Sequence, residues 1–233
     1  MKKKTKNKFR TWIIKTGVKL CLTLIVLSFC QVLAFKFFNP PGTVNMVYEW
    51  ARSKCFDVPY LKANYKWQDL EDISPHLRQA VLASEDQRFL THNGFDFKEI
   101  QNAISQVMNH HGFRGASTIS MQAARSVFLP SSRSIARKLS EAWYTILIEL
   151  IWDKKRILEI YLNTVDWGTG IVGAQAGARA YFSSDAKDLT MGQAALMTAI
   201  LPSPHKWSAR NPSVHVIKRK KWILSQMKAM PLL

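Results

Sequence analysis

The feature that most constrains this chain is a long apolar run near its start, TWIIKTGVKLCLTLIVLSFCQVLAFKFF. From Leu20 to Phe35 the run carries no charge, and extended back to Ile13 it supplies the ~20 residues that a membrane-spanning helix needs. Two lysines near its start can extend their long side chains to the membrane surface. The sequence therefore predicts a transmembrane helix over residues 13–37, preceded by a basic tail over residues 1–12.

The charges that flank this run predict its orientation. Nine Lys and Arg residues precede the first acidic residue, Glu49, so the positive-inside rule places the tail in the cytoplasm and everything after Phe38 outside. A cleavable signal peptide is the competing interpretation. The apolar run is longer than an ordinary signal-peptide core, and no A-x-A cleavage site precedes the NPPG that follows it. We therefore favour an uncleaved anchor.

The overall charge predicts the kind of partner. A net charge of +17 favours an anionic partner or an anionic surface. DNA is the general candidate for so basic a protein, but the exported topology argues against it, and we predict no nucleic-acid partner. Phosphorylated lipid or an anionic wall polymer fits the location better. Because only Cys55 lies beyond the anchor, the outer domain is predicted to have no intrachain disulfide.

The remaining sequence, residues 40–233, is predicted to form one compact domain of the mainly α class. No Gly/Ser linker, repeat or low-complexity tract divides it, and strand-like alternation is nearly absent. SPHLRQAVLAS offers Ser74 as an N-cap and Pro75 at the first helical position. Further helices are predicted in TVNMVYEWARS, from Phe97 to Val107, and in KKRILEIYLN, LTMGQAALMTAIL and VHVIKRKKWILSQM.

One predicted helix is apolar over a wide arc. Two neighbouring stripes run along it, formed by Ile135, Leu139, Ala142, Ile146 and Leu150 and by Trp143, Leu147 and Ile151. A helix with so wide an apolar surface is predicted to be central and buried.

An acidic pair stands in the first stretch that could carry chemistry, ASEDQRFLTHNGFD. Glu85 ends the helix that begins after Ser74, Asp86 lies beside it, and Phe89 and His92 follow. A glutamate partly shielded by aromatic side chains can serve as a general base near neutral pH. His92 can hold either that glutamate or a substrate. The alternative is structural, with the carboxylates capping a turn and the histidine bonded to backbone, and the residues alone favour it.

Two further stretches combine a helix start or a carboxylate with positive charge. In RGASTISMQAARSVF, Ser117 or Thr118 caps a helix whose free N–H groups suit an anion. Gln122 and Arg125 share a face with Thr118. In SSRSIARKLSEAWY, three positively charged residues near Glu141 suit a di-anion such as pyrophosphate. A capped surface helix and an i,i+4 ion pair are the ordinary alternatives. The cations in question are Arg133, Arg137 and Lys138.

The string WGTGIVG contains a GxGxxG pattern at Gly168, Gly170 and Gly173. A dinucleotide site is excluded because that motif needs a preceding strand, and here a helical segment precedes it. We predict instead a tight turn that lets helices approach closely. The six histidines do not fall at metal-ligand spacing, and the sequence contains no CxxC, Walker loop or Ser-centred nucleophile elbow. The sequence therefore predicts no protein-borne metal site.

Taken together, four stretches resemble glycosyltransferase family 51, the peptidoglycan glycosyltransferases, and most closely its monofunctional biosynthetic transglycosylases from Gram-negative bacteria. ASEDQRFLTHNGFD resembles the family's E-D-x-x-F-x-x-H-x-G-x-D, GASTISMQ its G-G-S-T-I-T-Q-Q, and RKLSE its R-K-x-x-E. KKRILEIYLNTVDWGTGIVGAQAGARAYF resembles its ILE-YLN-G-G-G-A-YF block, which LPSPHKW continues. The likeness covers residues 68–210, and four blocks in order are far more specific than one.

The resemblance implies a lysozyme-like helical fold and the polymerisation of lipid II into β-1,4-linked glycan strands, with release of undecaprenyl diphosphate. It implies an inner-membrane protein whose catalytic domain is periplasmic. Glu85 matches the family's general base and Glu141 its second catalytic carboxylate. The resemblance leaves open whether a Mg²⁺ or Mn²⁺ ion binds at the donor pyrophosphate, and whether the protein has cell-division or wall-synthesis partners. The residues implied to line the donor and acceptor sites are Asp86, Phe89, His92, Ser117, Thr118, Gln122, Arg125, Arg133, Arg137 and Lys138.

The chain departs from the family pattern at Ala116, Met121 and Arg125, where Gly, Gln and Lys are usual. No transpeptidase motif is seen, which predicts the monofunctional type. Two rivals stay open. A lytic transglycosylase or lysozyme-like hydrolase also uses a Glu in a helical domain but cuts glycan, and a cell-division scaffold needs no catalysis. The cations near Glu141 favour the transferase over the hydrolase, because cleaving a neutral glycan needs no seat for pyrophosphate.

Overall fold

The chain forms two compact units, Met1–Phe38 and Asn39–Leu233. The structure is a computed structural model that describes residues 2–56, 62–108, 117–132 and 134–233. Most of the described chain is helical, and the predicted mainly α class is confirmed.

The first unit is a single long helix, α1 (Lys2–Phe37). Within its segment Thr11–Phe37, a stretch of 18 residues has a mean hydropathy of 2.2. Among the described residues it is the one helix long and apolar enough to cross a membrane. By length and composition, the predicted N-terminal membrane helix is therefore present.

The second unit, over its described part, consists of helices, short 3₁₀ turns and one small hairpin. The helices are α2 (Val44–Phe56), α3 (Pro75–Glu85), α4 (Phe97–Met108), α5 (Ile119–Phe128), α6 (Ile135–Ile151), α7 (Lys154–Thr164), α8 (Ala174–Phe182), α9 (Met191–Ala199) and α10 (Val214–Met227). The 3₁₀ turns are Leu70–Asp72, Phe89–Thr91 and Ala186–Asp188. Strands β1 (Asp166–Gly168) and β2 (Ile171–Val172) pair antiparallel.

Two helices, α3 and α5, are each held between two others. α3 packs against α9 and α10, and α5 packs against α6 and α7. The side chains at these contacts are apolar and fully buried, as at Leu77 and Val81 on α3 and Ile119 and Ala123 on α5. Burying a Val, Leu or Ile side chain contributes roughly 1.5–3 kcal/mol. The core therefore fixes α3 and α5 in place, and these two helices carry Glu85 and Gln122.

Side-chain caps start the helices where the sequence predicts them. The Ser74 hydroxyl accepts from the His76 N–H at the start of α3, and Pro75 occupies the first helical position. Thr118 caps α5, the second of the two candidates for that role. Residues 109–116, which follow α4 and include Ala116, lie outside the described residues.

The prediction that α6 is central and buried is wrong. One stripe of α6 faces outward, with Ile135 82%, Leu139 68% and Leu150 77% exposed. The helix packs through a different side, where its buried residues are Glu141, Thr145, Leu147 and Ile148. The rule that an apolar helix face turns toward the core holds for a protein that is surrounded by water. This chain also has a helix long and apolar enough to cross a membrane, so the rule does not have to apply to α6.

The glycine-rich string forms the turn of the β1–β2 hairpin and leads into α8. α7 precedes it, so the exclusion of a dinucleotide site agrees with the structure. Gly173 has a φ of 85°, and a Cβ there would lie 2.6 Å from the Asn163 carbonyl oxygen. The backbone at this point can therefore accommodate only glycine, and it brings α7 and α8 close together.

We expect Gly173→Ala to lower the free energy of unfolding by more than about 2 kcal/mol, because it combines a positive φ with a backbone clash. Thermal unfolding of the full chain in detergent measures this. Gly192→Ala is the matched control, since its Cβ would meet only the Lys220 amine at 3.8 Å. We expect that change in α9 to be neutral or to stabilise by up to ~1 kcal/mol. Equal losses for the two variants would contradict the packing described for Gly173.

Candidate active site

Glu85, the last residue of α3, is held by three hydrogen-bond donors. The Ser84 hydroxyl donates to its Oε1 at 2.8 Å, and the Gln122 amide donates to its Oε2 at 3.2 Å. Nη2 of Arg219 lies 3.4 Å from Oε1. The side chain is 15% exposed, so the carboxylate still reaches solvent. Donors on both oxygens fix the plane of the carboxylate.

Two of these donors were not identified from the sequence. Ser84 lies near the end of α3, and Arg219 belongs to the basic run of α10. The Arg219 guanidinium donates to the Ser84 hydroxyl at 2.7 Å, which in turn donates to Glu85. Arg219 lies 134 residues from Glu85 along the chain. Sequence spacing gives no signal for such a pair, because the packing of α10 on α3 creates it.

Asp86 and His92 form a buried pair beneath this carboxylate. Nε2 of His92 lies 2.9 and 3.0 Å from the two Asp86 oxygens, and the Ile119 N–H donates to Asp86 at 3.0 Å. Both residues are less than a tenth exposed. The Asp86 carboxylate therefore joins the end of α3, the following turn and the first residue of α5.

Thr118 makes a second buried connection at the start of α5. Its hydroxyl accepts from the Met121 N–H at 3.2 Å and donates to the Gly94 carbonyl at 2.6 Å. Gly94 has a φ of 89°, and a Cβ there would lie 2.8 Å from Thr145. The neighbouring Ser117 is half-buried. Thr118 thus fixes the position of a tight loop as well as the helix start.

Phe89 lies in the core below His92, with 1% of its surface exposed. The Lys154 amine sits 4.6 Å from the centre of its ring, as in a cation–π contact. The same amine donates to the His92 carbonyl at 2.7 Å and to Glu149 at 2.8 Å. Lys154, at the start of α7, therefore holds Phe89 and His92 in place. Both side chains are buried and do not line an exposed surface.

Glu141 and two cations form a second charged cluster on α6. Arg137 donates to one oxygen of Glu141, and Lys138 donates to the other at 2.5 Å. Glu141 is 1% exposed, whereas Lys138 is 49% exposed. Arg133, the third predicted cation, lies outside the described residues. A buried carboxylate thus fixes two cations, and Lys138 extends from it toward solvent.

Gln122 and Arg125 lie about one turn apart on α5. Gln122 is half-buried and bonds to Glu85, whereas Arg125 is exposed. Arg125, Glu85 and Asp86 all act on the Tyr161 hydroxyl, whose pKa is raised well above its usual value. Burial is the main cause, the two carboxylates add to it, and Arg125 opposes it. Negatively and positively charged side chains therefore both act on one buried hydroxyl of α7.

One described group comes close to a metal-ligand arrangement. Asp86, His92 and Asp96 are all buried, and their ligand atoms lie within 4.8 Å of one another. The Asp86 carboxylate already accepts from His92 and from the backbone, and Arg88 donates to Asp96 at 2.8 Å. Both Asp86 oxygens and Oδ1 of Asp96 are therefore used in hydrogen bonds within the chain. At Glu141 both oxygens are likewise occupied by cations.

Comparison with known proteins gives a consistent result. The family model described as Transglycosylase matches residues 56–228. A biosynthetic peptidoglycan transglycosylase of Pseudomonas putida is 48% identical over 200 residues, which cover 86% of this chain and 84% of that protein. The protein of the same name from Shewanella oneidensis is 42% identical over 222 residues, covering 94% and 91%. That from Pseudomonas syringae is 44% identical over 218 residues, covering 94% and 92%.

We expect Thr118→Val to lower the free energy of unfolding by about 2 kcal/mol. It removes an N-cap and leaves the buried Gly94 carbonyl without its donor, at about 1 kcal/mol each. Thr190→Val is the control, because Thr190 caps α9 at an exposed position. That variant is expected to lose only the ~1 kcal/mol of a cap. Thermal unfolding in detergent compares them, and equal losses would show that the Gly94 bond adds nothing.

Proposed function

The chain belongs to the transglycosylase family, and from that premise we propose that it polymerises lipid II into β-1,4-linked glycan strands and releases undecaprenyl diphosphate. It is a peptidoglycan glycosyltransferase of cell-wall synthesis. Two charged clusters carry the finer proposal. One is a carboxylate held by donors at the end of α3, and the other is a set of cations around the buried Glu141 of α6.

In this proposal Glu85 is the general base. The acceptor is the 4-hydroxyl of a lipid II sugar, which is a weak nucleophile near neutral pH. Glu85 takes the hydroxyl proton while the oxygen attacks C1 of the donor sugar, and the bond from C1 to the pyrophosphate oxygen breaks. The leaving group departs with the electron pair, and one displacement inverts the anomeric centre. Base assistance of this kind is typically worth roughly 10²–10⁴-fold.

The cations on α5 and α6 are proposed to hold the donor pyrophosphate. Negative charge develops on this leaving group in the transition state, where fixed cations stabilise it most. Glu141 orients Arg137 and Lys138 at no cost during the reaction, because their bonds exist beforehand. Arg125 lies exposed on the neighbouring helix. We route no step through Mg²⁺ or Mn²⁺.

The other predicted site residues have supporting roles in this proposal. Asp86, Phe89, His92 and Thr118 are buried, and hydrogen bonds within the chain occupy Asp86, His92 and Thr118. They set the distance between Glu85 and α5 without needing to touch the sugar. Ser117 is half-buried at the start of α5, where a hydroxyl and free N–H groups suit a phosphate.

We propose an inner-membrane location with a cytoplasmic N-terminus and a periplasmic catalytic unit. The basic residues precede the candidate membrane helix, which is the distribution that the positive-inside rule describes. The exposed apolar stripe of α6 supports a position at the lipid headgroups. A similar exposed surface on α4 includes Phe97 (76%) and Met108 (75%). Both substrates carry lipid tails, so such a position would confine enzyme and substrates to one surface.

We expect Glu85→Gln to reduce lipid II polymerisation by roughly 10²–10⁴-fold, because the amide cannot accept the hydroxyl proton. Gel analysis of the glycan product measures the rate. Glu49→Gln is the control, since Glu49 is 46% exposed in a surface pair of α2. It should polymerise at the wild-type rate.

Unchanged polymerisation by Glu85→Gln would remove Glu85 from its assigned role. A wild-type protein that shortens preformed glycan instead of extending lipid II would favour the hydrolase. A wild-type protein that does neither would favour the scaffold.

We expect Lys138→Ala to raise the KM for lipid II by about ten- to a hundredfold, as for the loss of a charge-assisted bond to an anion. Stability should change little, because Arg137 still pairs with Glu141 and Lys138 is half-exposed. Steady-state kinetics and thermal unfolding measure both effects. Lys155→Ala, an exposed lysine of α7, is the control for loss of charge. A large loss of stability with unchanged KM would make Lys138 a structural residue.

A further inference from the structure

A buried tyrosine on α7 lies directly behind the carboxylate pair. The Tyr161 side chain is fully buried, and its hydroxyl lies 3.4 Å from Oε1 of Gln122. The same helix has apolar and equally buried side chains at Ile157, Leu158, Ile160 and Leu162. Phenylalanine would fill such a core as well, and a buried hydroxyl costs free energy unless it is bonded. The hydroxyl therefore has a purpose that core packing does not explain.

The electrostatic setting keeps this hydroxyl a hydrogen-bond donor. Burial is the main factor that raises the pKa of Tyr161 well above its usual value, and the charges of Glu85 and Asp86 raise it further. Tyr161 therefore stays protonated at neutral and moderately alkaline pH. A protonated phenol beside an amide oxygen donates to it, so Oε1 of Gln122 is the favoured acceptor.

Two constraints then act on the Gln122 amide in the same direction. At one end, the anionic Glu85 can only accept, so it needs the NH₂ group of Gln122. At the other end, the Tyr161 hydroxyl donates to Oε1. A flipped amide would turn its oxygen toward the carboxylate, which has no proton to donate, and its NH₂ group toward a phenol that can accept it. Glu85 therefore selects the amide orientation, and the hydrogen bond from Tyr161 to Oε1 adds to that preference.

We propose that Tyr161 is a positioning residue, which keeps the Gln122 NH₂ group on Glu85 and so holds the plane of the catalytic carboxylate. The proposal rests on the role of Glu85 in the proposed function. Gln122 fixes Oε2, and Ser84 fixes Oε1. Without the tyrosine hydroxyl only the bond to Glu85 restrains the amide, so the amide turns away more often and Oε2 loses its donor for part of the time. The Glu85 carboxylate then rotates about its Cγ–Cδ bond. Its oxygen is less often aligned with the proton of the acceptor hydroxyl.

Tyr161→Phe tests this in the full chain, because it removes one oxygen and keeps the ring in the core. We expect the kcat for lipid II polymerisation to fall about tenfold, as for the loss of one hydrogen bond in the reacting arrangement. KM should stay within about twofold, since Tyr161 does not touch substrate. Thermal unfolding confirms that the variant is folded at the assay temperature. An unchanged kcat would overturn the proposal.

A double-mutant cycle separates positioning from general loosening of the core. If Tyr161 acts through Gln122, then Tyr161→Phe should slow the Gln122→Ala enzyme no further. If the two losses multiply instead, the tyrosine acts independently and the proposal fails. Tyr181→Phe is the matched control, because the Tyr181 hydroxyl donates to the Trp167 carbonyl at 2.6 Å, away from these residues. Its kcat should equal that of the wild type.

A spectroscopic measurement distinguishes failure of this inference from failure of the proposed function. In protein labelled with ¹⁵N-glutamine, the Gln122 side-chain amide signal is the one that disappears in Gln122→Ala. Tyr161→Phe should shift that signal, and Tyr181→Phe should leave it in place. The readout needs no substrate, so it holds even if the wild type does not polymerise lipid II. An unshifted signal in Tyr161→Phe would overturn the role of Tyr161 whatever the activity.

Discussion

The arrangement of the site depends on the hydrogen bonds that the buried Asp86 carboxylate accepts. It accepts from His92 in the turn after α3 and from the Ile119 N–H at the start of α5. Glu85 directly precedes Asp86, and Gln122 lies one helical turn after Ile119. This single carboxylate therefore sets the separation across which Gln122 reaches Glu85. Removing it would leave both helices packed in the core but would no longer fix their ends relative to each other.

The second charged cluster depends on the burial of Glu141. A buried carboxylate without partners is very costly, and two cations on the same helix compensate its charge. Those cations are consequently fixed in position before any ligand arrives, and Lys138 remains half-exposed. An exposed i,i+4 pair would contribute only a few tenths of a kcal/mol and would orient nothing. Burial of the carboxylate therefore turns an ordinary helix pattern into two cations held in fixed positions.

The error about α6 has a definite cause. The two apolar stripes of α6 predict a helix buried in the core, because apolar surface is normally removed from water. Among the described residues, α6 instead packs through a side that includes Glu141 and Thr145, and it exposes Ile135, Leu139 and Leu150. Periodicity measures how apolar a face is, but it cannot say whether protein or lipid covers that face. The candidate membrane helix in the same sequence was the observation that could have raised the second possibility.

The sequence by itself determined the helical class, the starts of α3 and α5, the apolar N-terminal helix and the motifs that contain Glu85, Gln122 and Glu141. These features follow from local patterns, since caps, periodicity and short motifs involve residues within a few turns of one another. Only the tertiary structure decided which donors meet Glu85. Arg219 reaches it from α10, and Tyr161 reaches Gln122 from α7. Such contacts join residues that are distant along the chain, and they exist only because the core packs α10 on α3 and α7 on α5.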